Sequence, residues 1–319
     1  MARLSNDSAE LAPRTSFDGR ELRFELPGLE IGVAEYDEGP TGCTVFVFPD
    51  GAACSTDVRG GSPGVSGAGY PLVHAICLAG GSLYGLEAAA GVAAELLAQR
   101  GYRTGWLEIP LVAGAIIFDW GPRDNAVYPD KELGRAALRA ARPGVFPLGA
   151  RGAGRSATAG KLFAYEQGEP AGQGAAFRRV GETAVGVFTV VNAVGAIVDR
   201  EGNVVRGHYD RESGLRGALV PGVEERLAAG RPVRPPPGNT TLTVVVTNLR
   251  LDPRQLQTLG RQVHASMGRA IQPFHALEDG DVLFAVSTGA VESDPLLDTT
   301  ALGVVASEVA WDAVLSVVG

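Results

Sequence analysis

The chain is poor in the residues that build metal and redox centres, with three cysteines, four histidines and two methionines among 319 residues. Cys43, Cys54 and Cys77 are odd in number and lack C-x-x-C spacing, so neither a disulfide framework nor a zinc knuckle is expected. Reduced thiols in a cytoplasmic protein fit that usage. His74, His208, His264 and His275 show no H-x-x-x-H or H-E-x-x-H pattern, so no metal or other cofactor is expected. Positive charge is scarce too: 28 Lys and Arg against 36 Asp and Glu leave a formal net charge of -8. That balance repels a phosphate backbone and argues against a nucleic-acid partner. Long apolar runs are also missing. The most apolar stretch, AVGVFTVVNAVGAIV (184–198), is too short and interrupted to cross a bilayer, and the opening MARLSNDSAELAPRTSFDGRE has no secretory apolar region. Neither a membrane segment nor a signal peptide is expected.

Glycine is abundant instead, with 44 residues, roughly twice the average usage of about 7%. Tight turns and close backbone approaches follow. Hydrophobic residues at 45% and charged residues at 20% describe an ordinary globular chain, long enough for one large domain or two ordinary ones.

Residues 1–20 read as a loose arm before a single domain over 21–319. LRFELPGLEIGVAEY and TVFVFP have strand composition. SLYGLEAAAGVAAELLAQR predicts a helix from Ser82 to Arg100, stopped by Gly101, with Ser82 as its N-cap. GWLEIPLVAGAIIF reads as strand, KELGRAALRAAR as a short amphipathic helix, and TAVGVFTVVNAVGAIVDREGNVV as two strands around a turn. Residues 209–239 are charged and rich in Gly and Pro, and read as a polar surface linker. TTLTVVVTNL then opens a β-branched strand buried on both faces. Asp252 and Pro253 supply an N-cap and first-turn proline for a helix burying Leu256, Leu259, Val263 and Met267. DVLFAVST is another strand, and a nearly all-apolar helix runs from Thr299 to Val318.

Chemistry concentrates at PPPGNTTLTVVVT (235–247), where a flexible segment meets a buried strand that begins with a hydroxyl residue. A threonine hydroxyl is a poor nucleophile until a base stands beside it, and the α-amine of an N-terminal threonine is such a base. On these residues alone, an ordinary loop-to-strand transition is the better explanation of Asn239–Thr240. GGSLYG (80–85) suggests a serine-hydrolase elbow, but Tyr84 stands where G-x-S-x-G requires glycine. GARGAGRSATAG, before Lys161, lacks the strand and distal acid of a dinucleotide site.

GNTTLTVVVTNLRL, HAICLAGGSLYGLEAAAGV, AVYPDKELGRAAL, SATAGK, GQGAAFRR, QVHASMGRAIQPFHALEDGDVLFAVST and TALGVVASEVAWDAVL, in this order, closely resemble the nylon hydrolases. These 6-aminohexanoate-oligomer hydrolases lie within the self-processing peptidases that include the L-aminopeptidase/D-esterases and β-aminopeptidases. The similarity runs from about Leu22 to Val317. It implies an α+β fold, an αββα-type sandwich of two central sheets flanked by helices, cleaved after Asn239 into fragments 1–239 and 240–319. It also implies Thr240 as nucleophile, with roles for Lys161, Asn192, Asp279 and Asp281.

Each implied role has a physical counterpart. Asn192 lies in an apolar run, where its amide N–H can serve a tetrahedral oxyanion at about 3–4 kcal/mol. Asp279 and Asp281 flank Gly280 and are expected to orient the Thr240 hydroxyl and amine. Their crowding calls for a nearby ammonium, for which Lys161 and the mature Thr240 amine are candidates. Phe118 is a departure: relatives tend to carry Tyr just before the Asp at the end of GAIIFDWG, and phenylalanine donates no hydrogen bond. A small oligoamide is the expected substrate, with short peptides or aminoacyl amides, cleaved by an aminopeptidase, as the alternative. A non-catalytic, uncleaved scaffold is the other reading. Relatives assemble as symmetric oligomers, so a homo-oligomer of cleaved heterodimers, a tetramer, is expected.

Overall fold

The computed structural model describes residues 3–318. Its main strands are β1 (Glu30–Tyr36), β2 (Thr41–Val58), β3 (Leu72–Ala79), β4 (Val112–Ile116), β5 (Gly172–Val180), β6 (Thr183–Asn192), β7 (Thr240–Leu249) and β8 (Val282–Val291). The helices are α1 (Leu86–Gln99), α2 (Lys131–Arg139), α3 (Leu219–Ala228), α4 (Pro253–Ser266) and α5 (Thr299–Leu315). The two central sheets expected are joined in one ten-stranded mixed sheet, hydrogen-bonded in the order β5-β6-β7-β8-β2-β3-β4, with β1 also on β2 and two short strands, Val65–Ser66 on β4 and Arg142–Pro143 on β1. Within it β7 and β8 are parallel, whereas β5 and β6 are antiparallel.

The sheet becomes layered because β2 is 18 residues long and serves two neighbourhoods. Its first half pairs with β1 and β3, and its end, Ala53–Val58, pairs with β8. The ladder to β3 shifts register between Val47 and Ala52, around the Asp50-Gly51 turn sequence. The two halves then face each other. Phe46 of β2 meets Phe188 of β6 edge to face at 5.4 Å, and Phe24 and Phe146 pack on Phe188 at 5.3 and 5.1 Å.

Period-two alternation assigns each side chain to a layer. Leu242, Val244 and Val246 of β7 and Val282, Phe284 and Val286 of β8 point into the central core. Val245, Leu283 and Ala285 point the other way, against α4 and α5. Val45, Val47, Ala75 and Cys77 pack under α1 and α2. Helices thus cover both outer faces. The α4 start is as read: Asp252 accepts from the Gln255 N–H at 2.8 Å, Pro253 follows it, and Leu256, Leu259, Val263 and Met267 are buried.

Three local expectations change. Ser82 does not cap a helix; it opens a 3-10 turn, Ser82–Gly85, with φ of 52°, and Gly81 occupies the cap position without a side-chain bond. The stretch 209–239 is not all linker, because Leu219 and Val223 of α3 pack with Leu162 and Phe163 in a small apolar cluster. Its short helix carries too few apolar residues to show a period. Residues 3–20, expected as a loose arm, have little regular structure yet are tied down: Asn6 bonds Tyr128 and Asp130, and Arg14 exchanges backbone bonds with Glu35. Residues 1, 2 and 319 of the expected arm and domain lie outside the described residues.

Phe188 joins three aromatic contacts at the centre of the sandwich. Phe188→Ala should therefore lower unfolding free energy by about 3–5 kcal/mol, read by urea denaturation; a loss under 1 kcal/mol would show that the two halves do not depend on this contact.

Candidate active site

Strand register assembles the site. In the antiparallel β6–β7 ladder Asn192, the last residue of β6, lies directly opposite Thr240, the first of β7. On the other side β7 runs parallel to β8, and Asn239, just before β7, forms an isolated parallel bridge with Asp279, in the turn that leads into β8. The Gly280 N–H donates to the Asn239 carbonyl at 2.8 Å. Thr240 Oγ1 also donates to that carbonyl oxygen. The hydroxyl thus lies against the peptide bond it would attack, and a backbone donor already faces the oxygen on which charge would develop.

Gly280 has little freedom to be another residue. An added Cβ would sit 2.3 Å from the Ser62 carbonyl oxygen and 2.9 Å from Thr240 Oγ1. The loop before it is clasped by residues 59–62: the Arg59 N–H donates to the Asp281 carbonyl at 2.8 Å and the Ser62 N–H to that of Asp279 at 3.0 Å.

Asn192, Asn239, Thr240, Lys161, Asp279 and Asp281 are all buried, none more than 4% exposed. Asn192 Oδ1 accepts from the Thr158 N–H at 3.0 Å and from Lys161 Nζ at 3.2 Å. Its Nδ2 donates to the carbonyls of Phe118 at 3.0 Å and Gly238 at 3.3 Å. The amide is therefore occupied in part by the segment that precedes Asn239. Lys161 Nζ also donates to the Thr158 carbonyl and hydroxyl, each at 3.0 Å. Burial pushes its ammonium down to about 7, with the Asp279 charge opposing the shift.

Asp279 accepts from the N–H groups of Val194 and Ala276 at 3.1 and 3.2 Å. Its carboxyl is nonetheless raised, first by burial and then by the neighbouring Asp281. Asp281 accepts from the Thr241 N–H at 2.6 Å, the peptide group just beyond the candidate nucleophile. Phe118, 36% exposed, lines a cavity of about 180 Å³ that also touches Thr240, Gly238, Ser82 and Leu83. The structure thus brings all seven expected residues together. It adds Gly280, Thr158 and His275, whose ring bonds Asp281; only the proximity of His275 to EDGD in sequence hinted at it.

A family model for peptidase family S58 matches residues 24–318. The chain belongs to this family. It is 50% identical to a 6-aminohexanoate-oligomer endohydrolase of Agromyces sp. (strain KY5R), across 97% of this chain and 89% of that protein. The same figures hold for a 6-aminohexanoate-oligomer endohydrolase of Paenarthrobacter ureafaciens. Among solved structures, the L-aminopeptidase D-Ala-esterase/amidase of Ochrobactrum anthropi, described as a variant of the Ntn hydrolase fold, superposes with a TM-score of 0.65 at 16% identity. That match covers 95% of this chain and 88% of the other. It supports the S58 fold assignment: a mixed central sheet with flanking helices.

The depressed Lys161 value gives a signed prediction for this S58 site. Between about 7 and the ordinary lysine value of about 10.4, the unfolded chain binds more protons at this group than the native one. Its contribution to stability therefore rises with pH across that window and is absent below it. Urea unfolding of Thr240→Ala and of Thr240→Ala with Lys161→Met should show a stability difference that shifts toward the lysine form as pH increases. A pH-independent difference would return Lys161 to ordinary basicity.

Proposed function

We propose that this chain is a self-cleaving amide hydrolase of linear oligoamides, of which 6-aminohexanoate oligomers are the type, with Thr240 as nucleophile. The observation that carries the reading is the Thr240 hydroxyl held on the Asn239 carbonyl, whose oxygen already accepts the Gly280 N–H. The 50% identity, over 97% of this chain, to two endohydrolases named for these oligomers supports the substrate class.

In the first reaction Thr240 Oγ1 attacks the Asn239 carbonyl carbon, its proton leaving to a neighbouring base. Collapse of the tetrahedral species breaks the C–N bond, moves the acyl group from nitrogen to oxygen and protonates the leaving nitrogen. Water then hydrolyses the ester, giving an Asn239 carboxylate and a free Thr240 amine. That amine supplies the base for later turnovers. Lys161, with its low pKa, favours the neutral amine by its charge when protonated and returns a proton when needed. Departure of Gly238 frees Asn192 Nδ2, which then donates to the oxyanion formed from substrate.

The cavity beside Thr240 is lined by ten residues without a charged side chain, among them Leu83, Ile116 and Phe118. Such walls suit methylene segments around an internal amide. An aminopeptidase needs an acid at this surface for the substrate ammonium, so the lining favours internal cleavage. Phe118 adds apolar wall and no hydrogen bond, which leaves Asn192 as the side-chain amide donor at the site. Assembly of cleaved heterodimers into a symmetric oligomer belongs to the same proposal.

Purified wild type should run as fragments of 239 and 80 residues, and Thr240→Ala as one 33.0 kDa chain without hydrolase activity. Fragments from Thr240→Ala split at the same bond would overturn the nucleophile assignment. Asn192→Ala should fold and lose turnover by roughly 10²–10³-fold; unchanged kcat would make Asn192 a structural residue. Chromatography of an oligoamide digest should show internal cuts, and stepwise loss of terminal units would favour the aminopeptidase.

A further inference from the structure

We infer that His275 is a positioning residue for the nucleophile, acting through Asp281, an inference that rests on the reading of Thr240 above. The Asp281 carboxylate bridges two parts of the chain. Oδ1 accepts from the Thr241 N–H at 2.6 Å, whereas Oδ2 accepts from the His275 backbone N–H at 3.1 Å and faces its Nδ1 at 2.8 Å. With Asp281 as acceptor, Nδ1 carries the proton. His275 therefore aims the carboxylate at the peptide group immediately after Thr240. Loss of that aim leaves the first turn of β7 without the partner of a buried N–H.

The ring is itself fixed from behind. His264, fully buried on α4, meets it edge to face with centroids 4.4 Å apart. His264 Nδ1 lies 2.9 Å from Asp57 Oδ2, which also accepts from Arg59 Nε at 2.7 Å. Phe274 packs on the His275 ring at 3.9 Å between centroids and also meets His264 at 5.7 Å. The line Arg59–Asp57–His264–His275–Asp281–Thr241 runs from β2, across the α4 face, to the start of β7. His275 also adopts a left-handed backbone, φ 61°, a conformation in which Asn, Asp and His are the enriched residues other than glycine.

That backbone dictates the test. Asn and Asp are matched in shape and both tolerate this conformation, but the Asn amide can replace the Nδ1–H donor, whereas Asp presents a second carboxylate to Asp281. His275→Asn should retain kcat and the rate of cleavage at Asn239–Thr240 within about threefold. His275→Asp should lose both by about 10²-fold with KM little changed, the size expected of a displaced reacting group. Equal rates in the two variants would overturn the positioning role.

A second readout separates this inference from the function itself. In the Thr240→Ala background, hydrogen exchange of the Thr241 amide should remain slow with His275→Asn and accelerate at least tenfold with His275→Asp. Equal protection overturns the clamp whatever the chain catalyses. Lost protection with His275→Asp, together with a wild-type chain that never cleaves, would keep the clamp and remove the hydrolase reading.

Discussion

The site depends on the register of three adjacent strands. β7 is hydrogen-bonded on both sides, antiparallel to β6 and parallel to β8, so its first residue has no lateral freedom. Because Asn192 ends β6 opposite Thr240, and the turn carrying Asp279, Gly280 and Asp281 leads into β8, one alignment places an amide, a hydroxyl and two acids together. A slip of one residue would exchange the faces of β7, sending Leu242, Val244 and Val246 out of the central core. The packing that stabilises the sandwich is therefore also what aligns the chemistry.

Burial gives those groups their character. Lys161 and Asp279 are shifted in opposite senses because water is excluded from both, and each charge only partly relieves the other. The polar groups around them are carbonyls and amides of fixed position, so the environment is polar without being loose. Asn192 illustrates the economy of this arrangement. Its oxygen orders Lys161 and Thr158, while its nitrogen faces the segment just ahead of Asn239.

Much of this was legible in the order of residues. The β-branched run after Asn239 marks a buried strand, and Asp252-Pro253 marks a helix start, because both signals are local and strong. The motifs shared with the nylon hydrolases pointed to Asn192, Lys161 and the two acids. The doubling-over of the sheet was not legible, since it depends on which distant strands pair with each half of β2. Ser82 misled because a capping serine and a left-handed turn residue share the same composition context. His275 stayed hidden because its partner His264 is eleven residues away and Asp57 is on another strand, and no spacing rule links them. Helix α3 was masked by the proline and charge around it.

The insertion of β7 and β8 between β6 and β2 changes what stability would mean after a break at 239–240. Both strands of the short piece would be flanked by strands of the long one, and its two helices would still cover their outer face. Neither piece would retain a closed core by itself. Unfolding would then become a dissociation, so the midpoint of a thermal or denaturant transition would rise with protein concentration, and recovery from denaturant would be second order. A protein that folds as one chain would thereafter persist as a complex of two.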